Sequence, residues 1–357
     1  MSTIARKLAE LPAFAGLSED TLRGSLRFWS LVTLPPDAPL FTRGEPSTGL
    51  VIVLSGRLRA VGDRAELGDL GPGELVGEVT AFLDGAKSSA TVTALEETTL
   101  LSLRSSGLLA LRRQRSPLYD ALLSQALTTL CARVRAVNDM VLSQGVIADP
   151  DLSLPPAEPA AAEPPPLADL LRRLPGQAEL PERLIHELTT AFTAQAMRAG
   201  QRLVLEGDAA DCAFVVAEGQ VRATRALPGG GNITLARLGP GDPFGVNALV
   251  DRSPRSATCL AESDGWLYRV SAAAPARLSA DGSLAWRETL LATLATQLRL
   301  ANHLLDAPGA DADFRAEARA SGALLGLPLS GGVTNPVVPA ALRDPLRPPR
   351  EGAPVAE

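Results

Sequence analysis

Four short apolar stretches follow one another with glycine turns or polar residues between them: LVIVLSG (Leu50–Gly56), RLRAV (Arg57–Val61), ATVTAL (Ala90–Leu95) and TLLSLR (Thr99–Arg104). Their length, alternation and turn punctuation predict short antiparallel strands of a barrel or jelly roll. The period then changes. Leu123, Leu127, Leu130, Val134, Val137 and Val141 recur at spacings of 4, 3, 4, 3 and 4. That is a long helix with an a/d stripe running over more than two heptads.

The whole pattern occurs twice. FTRGEPSTGLVIVLSGRLRA (Phe41–Ala60) aligns with VLEGDAADCAFVVAEGQVRA (Val204–Ala223) at an offset of 163, which sets Gly44 on Gly207 and Gly56 on Gly219. LGPGE (Leu70–Glu74) then aligns with LGPGD (Leu238–Asp242) at an offset of 168. The difference is absorbed by a longer hairpin, LPGGGN (Leu227–Asn232), where the first copy turns tightly at GDRA (Gly62–Ala65). Hairpin tips are where a sheet tolerates insertion. A second striped helix carries Leu291, Leu294, Leu298, Ala301 and Leu305, in register with the first at an offset of 164. Each half opens on a short helical pattern and closes on a long one. The predicted fold is mainly β with flanking helices: two tandem jelly-roll domains, residues 5–143 and 168–306. Three partners are open to the stripes: their own barrels, each other, or a second subunit.

Between the halves, residues 144–167 are rich in Pro, Ala and Glu and offer no apolar face, which predicts a stiff extended linker. Residues 307–357 are rich in Pro, Gly and Arg and read as a disordered tail. No apolar run approaches the roughly 18 residues of a membrane span, and the first residues lack a secretory signal pattern. Three scattered cysteines, Cys131, Cys212 and Cys259, form neither a disulfide framework nor a metal spacing. A cytoplasmic protein is expected, and the excess of Arg over Lys with abundant Ala, Gly and Pro suggests a GC-rich bacterium. Net charge is −6 over 357 residues, and basic and acidic side chains balance across residues 1–145. Nucleic acid would need a concentrated positive face, so neither a nucleic-acid nor a membrane partner is expected. His186 and His303 are the only histidines and stand far from any cysteine, which leaves no catalytic triad to argue. Trp29, Trp266 and Trp286 read as core or domain-contact residues. LPGGGN lies in a hairpin, where a phosphate loop has no helix to cap.

One segment of each half carries chemistry. VGEVTAFLDGAKSSATV (Val76–Val92) and FGVNALVDRSPRSATC (Phe244–Cys259) both read as a glycine turn, a short helix and then a polar turn before a strand. With the flanking GPG turns, both halves resemble cyclic-nucleotide-binding domains, as in the catabolite activator protein and the regulatory subunits of protein kinase A. The resemblance implies a phosphate-binding cassette in each half. In such a cassette an acid accepts from the ribose 2′-hydroxyl and an arginine clamps two oxygens of the cyclic phosphate. It implies Gly77, Glu78, Ser88 and Ser89 as the ligand-facing residues of the first half. In the second half it implies Phe244, Gly245, Asn247, Arg255, Ser256 and Ala257. Cyclic AMP or cyclic GMP is the implied ligand, and no metal or other cofactor is expected.

Each half departs from the pattern at a different position. The first keeps Glu78 but has Ser88 in place of the clamp arginine, and Thr80 narrows the ribose approach. Lys87 is adjacent, but neighbouring residues of an extended segment face opposite ways. Glu78 is therefore expected to meet an incoming phosphate with nothing to offset it. The second half keeps Arg255 but has Val246 in place of the acid, with Asn247 or a backbone carbonyl as a partial substitute. Arg255 has a structural alternative, holding an internal carboxylate or backbone carbonyls. The family's transcription factors carry a helix-turn-helix after the long helix, and no such pattern follows Asp306. The expectation is a non-catalytic regulatory or adaptor protein with two degenerate sites, relaying a ligand or partner signal to another protein. Its alternatives are a true cyclic nucleotide sensor using the second half, and a structural docking protein. An intramolecular pseudo-dimer or a homodimer through the long helices is expected.

Overall fold

The computed structural model describes residues 3–46, 49–63, 65–83, 86–143, 161–174, 180–226 and 232–306. Two helices, α1 (Thr3–Ala9) and α2 (Glu19–Ser25), lead into the first strands. The Ser18 hydroxyl caps α2 by accepting from the Thr21 backbone N–H at 3.2 Å. There follow β1 (Trp29–Leu34), β2 (Pro39–Phe41), β3 (Gly49–Ser55), β4 (Leu58–Val61), β5 (Glu66–Leu70), β6 (Leu75–Val76), α3 (Glu78–Ala81), β7 (Thr91–Ala94) and β8 (Thr98–Arg104). Helix α4 (Ser105–Arg113) and the 27-residue α5 (Pro117–Ser143) close this half. The strands form two four-stranded antiparallel sheets, ordered β1-β8-β3-β6 and β2-β7-β4-β5.

The second half repeats this plan. It runs α6 (Leu167–Arg173), α7 (Glu182–Thr189), β9 (Phe192–Met197), β10 (Arg202–Val204), β11 (Cys212–Glu218), β12 (Val221–Ala226) and β13 (Asn232–Leu238). Then come β14 (Pro243–Phe244), α8 (Asn247–Asp251), β15 (Thr258–Ala261), β16 (Gly265–Ser271) and the 27-residue α9 (Ala280–Asp306). Its sheets, β9-β16-β11-β14 and β10-β15-β12-β13, match the first pair strand for strand. Two differences stand out. A 3₁₀ turn at Ala274–Arg277 replaces α4, and the β12–β13 ladder is longer than β4–β5, as the hairpin lengths predict. Residues 227–231 of that hairpin lie outside the described residues.

The period of two in the strands sorts side chains into layers. On β3, Val51 and Val53 enter the sandwich core with Val32, Leu40, Leu58 and Leu100, while Leu50 and Ile52 point to the helical layer. The second sandwich core is smaller, built on Met197, Phe214, Val216, Val221, Phe244 and Leu267. The helical layer is shared. Helix α5 packs along α9, and Leu127, Leu130, Val134, Val137, Leu291, Leu294, Leu298 and Ala301 are buried in one cluster reaching into both halves. Of the partners open to the stripes, the chain thus supplies each with the other. The side chains of Val141 and Leu305 lie outside the described residues, as does that of His303.

Polar contacts line the rim of this seam. The Glu288 carboxylate accepts from the Arg112 guanidinium at 2.6 and 2.8 Å and from the Tyr119 hydroxyl at 2.6 Å. Arg287 donates to the Asp120 carboxylate at 2.8 Å and to the Ser124 hydroxyl at 2.7 Å. Burial, reinforced by the Glu288 charge, raises the Tyr119 phenol well above its usual range.

Part of the linker is held against the second half. Residues 144–160 lie outside the described residues, as do 307–357. Residues 161–166 are docked, because proline-rich backbone leaves carbonyls free to accept. Trp266 Nε1 donates to the Ala161 carbonyl at 3.0 Å and the Tyr268 hydroxyl to the Pro165 carbonyl at 2.7 Å. Helix α6 begins at Leu167, one residue before the expected boundary. Trp29 and Trp286 are core residues, whereas Trp266 holds the linker. His186 is exposed on α7. All three cysteines are buried and unpaired, and burial pushes the Cys131 and Cys259 thiols up to about 12. Among the described residues no helix is long and apolar enough to cross a membrane.

The rim should carry measurable stability. Glu288→Ala, which strands Arg112 and the Tyr119 hydroxyl, is expected to lower urea stability by about 2 kcal/mol. Glu10→Ala removes only the exposed Arg6–Glu10 pair of α1 and is expected to change it by less than about 0.5 kcal/mol. Equal midpoints for the two variants would show that the rim does not tie the halves together.

Candidate functional site

A cavity of about 400 Å³ opens beside α8 in the second half. Phe244, Gly245, Asn247, Arg255, Ser256 and Ala257 all line it, so the structure brings together every residue singled out there. Arg255 is only 8% exposed. Its guanidinium donates to the Gly245 carbonyl at a long 3.4 Å and to Cys212 Sγ, a weak acceptor, at 3.2 Å. Among the described residues no carboxylate pairs with it. Of the two structural partners open to Arg255, an internal carboxylate or backbone carbonyls, it meets a backbone carbonyl. Gly245, at φ 72°, lets the guanidinium lie where a Cβ would sit. Val246 is buried at the position of the acid.

Arginines outnumber carboxylates in the lining of this cavity. Its lining includes the guanidinium groups of Arg135, Arg173 and Arg255 against one carboxylate, Asp242. Asp242 accepts from the Gly239 backbone N–H at 2.8 Å. Arg135 reaches across from α5 to Asp251 of α8 at 3.1 and 3.2 Å. Burial alone would push the Asp251 carboxyl up, but the Ser253 N–H at 2.9 Å and Arg135 outweigh it and hold it below the usual carboxylate range. The roof is built by both long helices: Val134, Arg135 and Asn138 come from α5, and Thr293, Thr296, Gln297 and Ala301 from α9.

The first half holds a smaller cavity of about 200 Å³, lined by Gly77, Glu78, Ser88 and Ser89 among others. Here the lining carries the carboxylates of Asp69, Glu74 and Glu78 and the guanidinium of Arg133, with the exposed Asp69 paired to Arg59 at 2.9 Å. Glu78 is fully buried, with Oε1 paired to Arg133 of α5 and Oε2 without a partner. Arg133 also donates to the Leu75 carbonyl at 2.8 Å. The expectation that nothing offsets Glu78 is corrected: a helix 55 residues further on supplies the cation. Gly77, at φ 90°, is required because a Cβ would lie 2.6 Å from the Gly49 carbonyl oxygen. Ser88 uses its backbone to join the Gly44–Glu45 turn, with both bonds at 2.9 Å. The Thr80 hydroxyl turns back to the Gly77 carbonyl at 3.1 Å. Lys87 is exposed and absent from the lining, as its alternation predicts. Glu78 and Arg255 serve different cavities, which share no lining residue.

Reading the cassettes alone misses the helical contributors. Asn302 of α9 lines the first cavity and Asn138 of α5 the second, so each cavity takes an amide from the other half. The two asparagines stand 164 residues apart, the offset of the apolar stripes. The same offset sets Arg133 on Gln297. The Glu78–Arg133 pair of the first half is thus replaced as a unit by Val246 and Gln297 in the second. That joint replacement is the signal by which sequence comparison of the halves could have found Arg133.

Residues 31–115 and 194–281 each match the family model described as the cyclic nucleotide-binding domain. The chain is 35% identical over 108 residues to the Cyclic AMP receptor protein of Thermus thermophilus, covering 29% of this chain and 50% of that protein. It is 26% identical over 254 residues to the cAMP-dependent protein kinase regulatory subunit of Yarrowia lipolytica, covering 70% of this chain and 54% of that one. The chain thus spans about half the length of each of these two relatives. Among solved structures, the regulatory domain of Toxoplasma gondii PKA with cAMP aligns at 20% identity and a TM-score of 0.30, covering 78% and 92% of the two chains. The Thermus thermophilus Catabolite Activator Protein aligns at 28% identity and a TM-score of 0.30, covering 40% and 61%. With one family match in each of two halves that share a strand order, this chain is a tandem protein of the cyclic nucleotide-binding domain family.

Proposed function

We propose that the chain is a non-catalytic regulatory protein that senses an anionic ligand through its second cavity and relays occupancy to a protein partner. The observation that carries this reading is the buried, carboxylate-free guanidinium of Arg255 in a lining with three guanidiniums and one carboxylate. A cation taken out of water without an anionic partner is costly, and a ligand phosphate relieves that cost with a charge-assisted pair of bonds. A cyclic nucleotide, cyclic AMP or cyclic GMP, is the ligand class that the family and the arginine-rich lining together favour. Arg255 clamps the phosphate with Ser256 and Ala257 beside it, Phe244 and Gly245 wall the cavity, and Asn138 meets the base from α5. Val246 leaves the 2′-hydroxyl without a carboxylate acceptor.

The relay follows from the roof. Ligand contacts to Asn138 and Arg135 act on α5, which belongs to the other half. Occupancy therefore favours one arrangement of the helix pair over others by its differential contacts. Because each stripe is covered by the other, the pair works as an intramolecular pseudo-dimer. The partner is expected at the helix pair or its flanks, not in the cavity.

Calorimetry with cyclic AMP and cyclic GMP tests the clamp. Wild type is expected to bind at least one of them, and Arg255→Ala to weaken it by roughly 10- to 100-fold, as for loss of a hydrogen bond to a charged group. Absence of binding, or binding indifferent to Arg255→Ala, would remove the sensor reading.

A second measurement probes the missing acid. The 2′-deoxy analogue is expected to bind wild type at least as tightly as cyclic AMP, because a 2′-hydroxyl placed beside Val246 gives up water and gains no acceptor. The double variant Val246→Glu, Gln297→Arg, which copies the Glu78–Arg133 pair, should restore a preference for the hydroxyl of about tenfold. A strong preference already present in wild type would place another acceptor at the sugar.

A further inference from the structure

The second cavity is the larger, at about 400 Å³ against about 200 Å³. Its lining reaches Arg173 on α6, whereas no residue of α1 or α2 lines the first cavity. The position 163 residues before Arg173 is Glu10, an exposed carboxylate paired to Arg6. Charge at the end of the opening helix is thus reversed between the halves, and only in the second half does it line the cavity. Arg173 is exposed, but its helix is fixed. Leu167, Leu170 and Leu171 are buried in the helical layer, and Trp266 and Tyr268 hold the proline segment that precedes them. The neighbouring Arg172 is paired to Glu182, whereas no carboxylate of the described residues pairs with Arg173.

Helix α9 adds two donors that the fold leaves unused. Thr293 is 4% exposed and lines the cavity. Thr289 and Thr296 turn their hydroxyls back to the Ala285 and Ala292 carbonyls, at 2.7 and 2.9 Å. The Thr293 hydroxyl has no partner among the described residues, yet it is not sealed, so the surface it keeps opens on the cavity. Gln297 lies one turn further along the same face, and its amide also lines the cavity without a partner among the described residues. The nearby charges are spent elsewhere: Arg135 on Asp251, and Asp242 on the Gly239 N–H.

We infer that Arg173, Thr293 and Gln297 form a second anion subsite in this cavity, and that its ligand is a nucleotide carrying a second phosphate apart from the one Arg255 holds. The inference rests on the reading of Arg255 as a phosphate clamp. None of the three residues belongs to the cassette. The guanidinium can take two oxygens of one phosphate, and the hydroxyl and amide supply neutral donors beside it. A ligand with a single phosphate leaves these groups unmatched in a partly closed site, where an unmade bond is costly. A volume of about 400 Å³ lies within the range of small-molecule sites.

Titration calorimetry on the full chain compares cyclic AMP and cyclic GMP with four two-phosphate probes. Adenosine and guanosine 3′,5′-bisphosphate carry both phosphates on one sugar, and cyclic di-AMP and cyclic di-GMP set them further apart. At least one probe is expected to bind about tenfold or more tightly than the cyclic mononucleotide of the same base, the worth of one charge-assisted contact. Arg173→Ala should remove that advantage and leave the cyclic mononucleotide within about twofold. Thr293→Val, which keeps the shape and removes the hydroxyl, should weaken the same probe by about threefold or more and spare the cyclic mononucleotide. Cyclic mononucleotides that bind as tightly as every two-phosphate probe would overturn the inference and leave the Arg255 reading standing. An advantage that survives Arg173→Ala would overturn it in the same way. Binding of a probe undiminished by Arg255→Ala, or no binding by any of the six ligands, would overturn the Arg255 reading and this inference with it.

Discussion

The burial of α5 against α9 is the constraint on which both cavities depend. Each helix closes its own sandwich and also crosses to the other, so one stretch of chain serves as wall for one cavity and roof for its counterpart. The leucine and valine stripes make this possible. They occupy one face of each helix and are buried in a cluster common to both halves, which leaves the flanking polar positions to enter the cavities. Asn138 and Asn302 sit at equivalent places beside the seam and reach in opposite directions. The two striped helices belong to one chain, so its two halves are free to diverge.

They have diverged in electrostatics and kept their topology. The same strand order presents more carboxylates in one lining and more guanidiniums in the other. The exchanges come in matched sets. Where Glu78 is present its counter-ion Arg133 is present, and where Val246 replaces the acid, Gln297 replaces the arginine. A buried carboxylate without its cation, or the reverse, would destabilise a small sandwich, so neither member of the pair can be lost alone. Arg255 is the exception, a buried guanidinium that no carboxylate of the described residues compensates.

The linker shows the same economy on a smaller scale. A proline-rich stretch has few N–H groups to satisfy, so its carbonyls can be held by a few side chains on the sheet surface. Trp266 and Tyr268, two residues apart on β16 and hence on one face, supply those donors. Docking here leads into α6, whose Leu167, Leu170 and Leu171 are buried in the helical layer.

The amino-acid sequence by itself determined the two sandwiches, their equivalence, the long helices and the cassettes. Those features are local: alternation of two, a stripe of 3.5, a glycine turn and a short motif are all written within about 30 neighbouring residues. The ten candidate residues fall on two continuous segments, and the structure sets each segment along one cavity. What only the tertiary structure decided is which charges meet. Arg133 finds Glu78, Arg135 finds Asp251 and Asn302 enters the first cavity across separations that no local period encodes, since helix packing sets them. The charge of each lining is a sum over side chains from both halves. That sum exists only once the two apolar stripes have closed on each other.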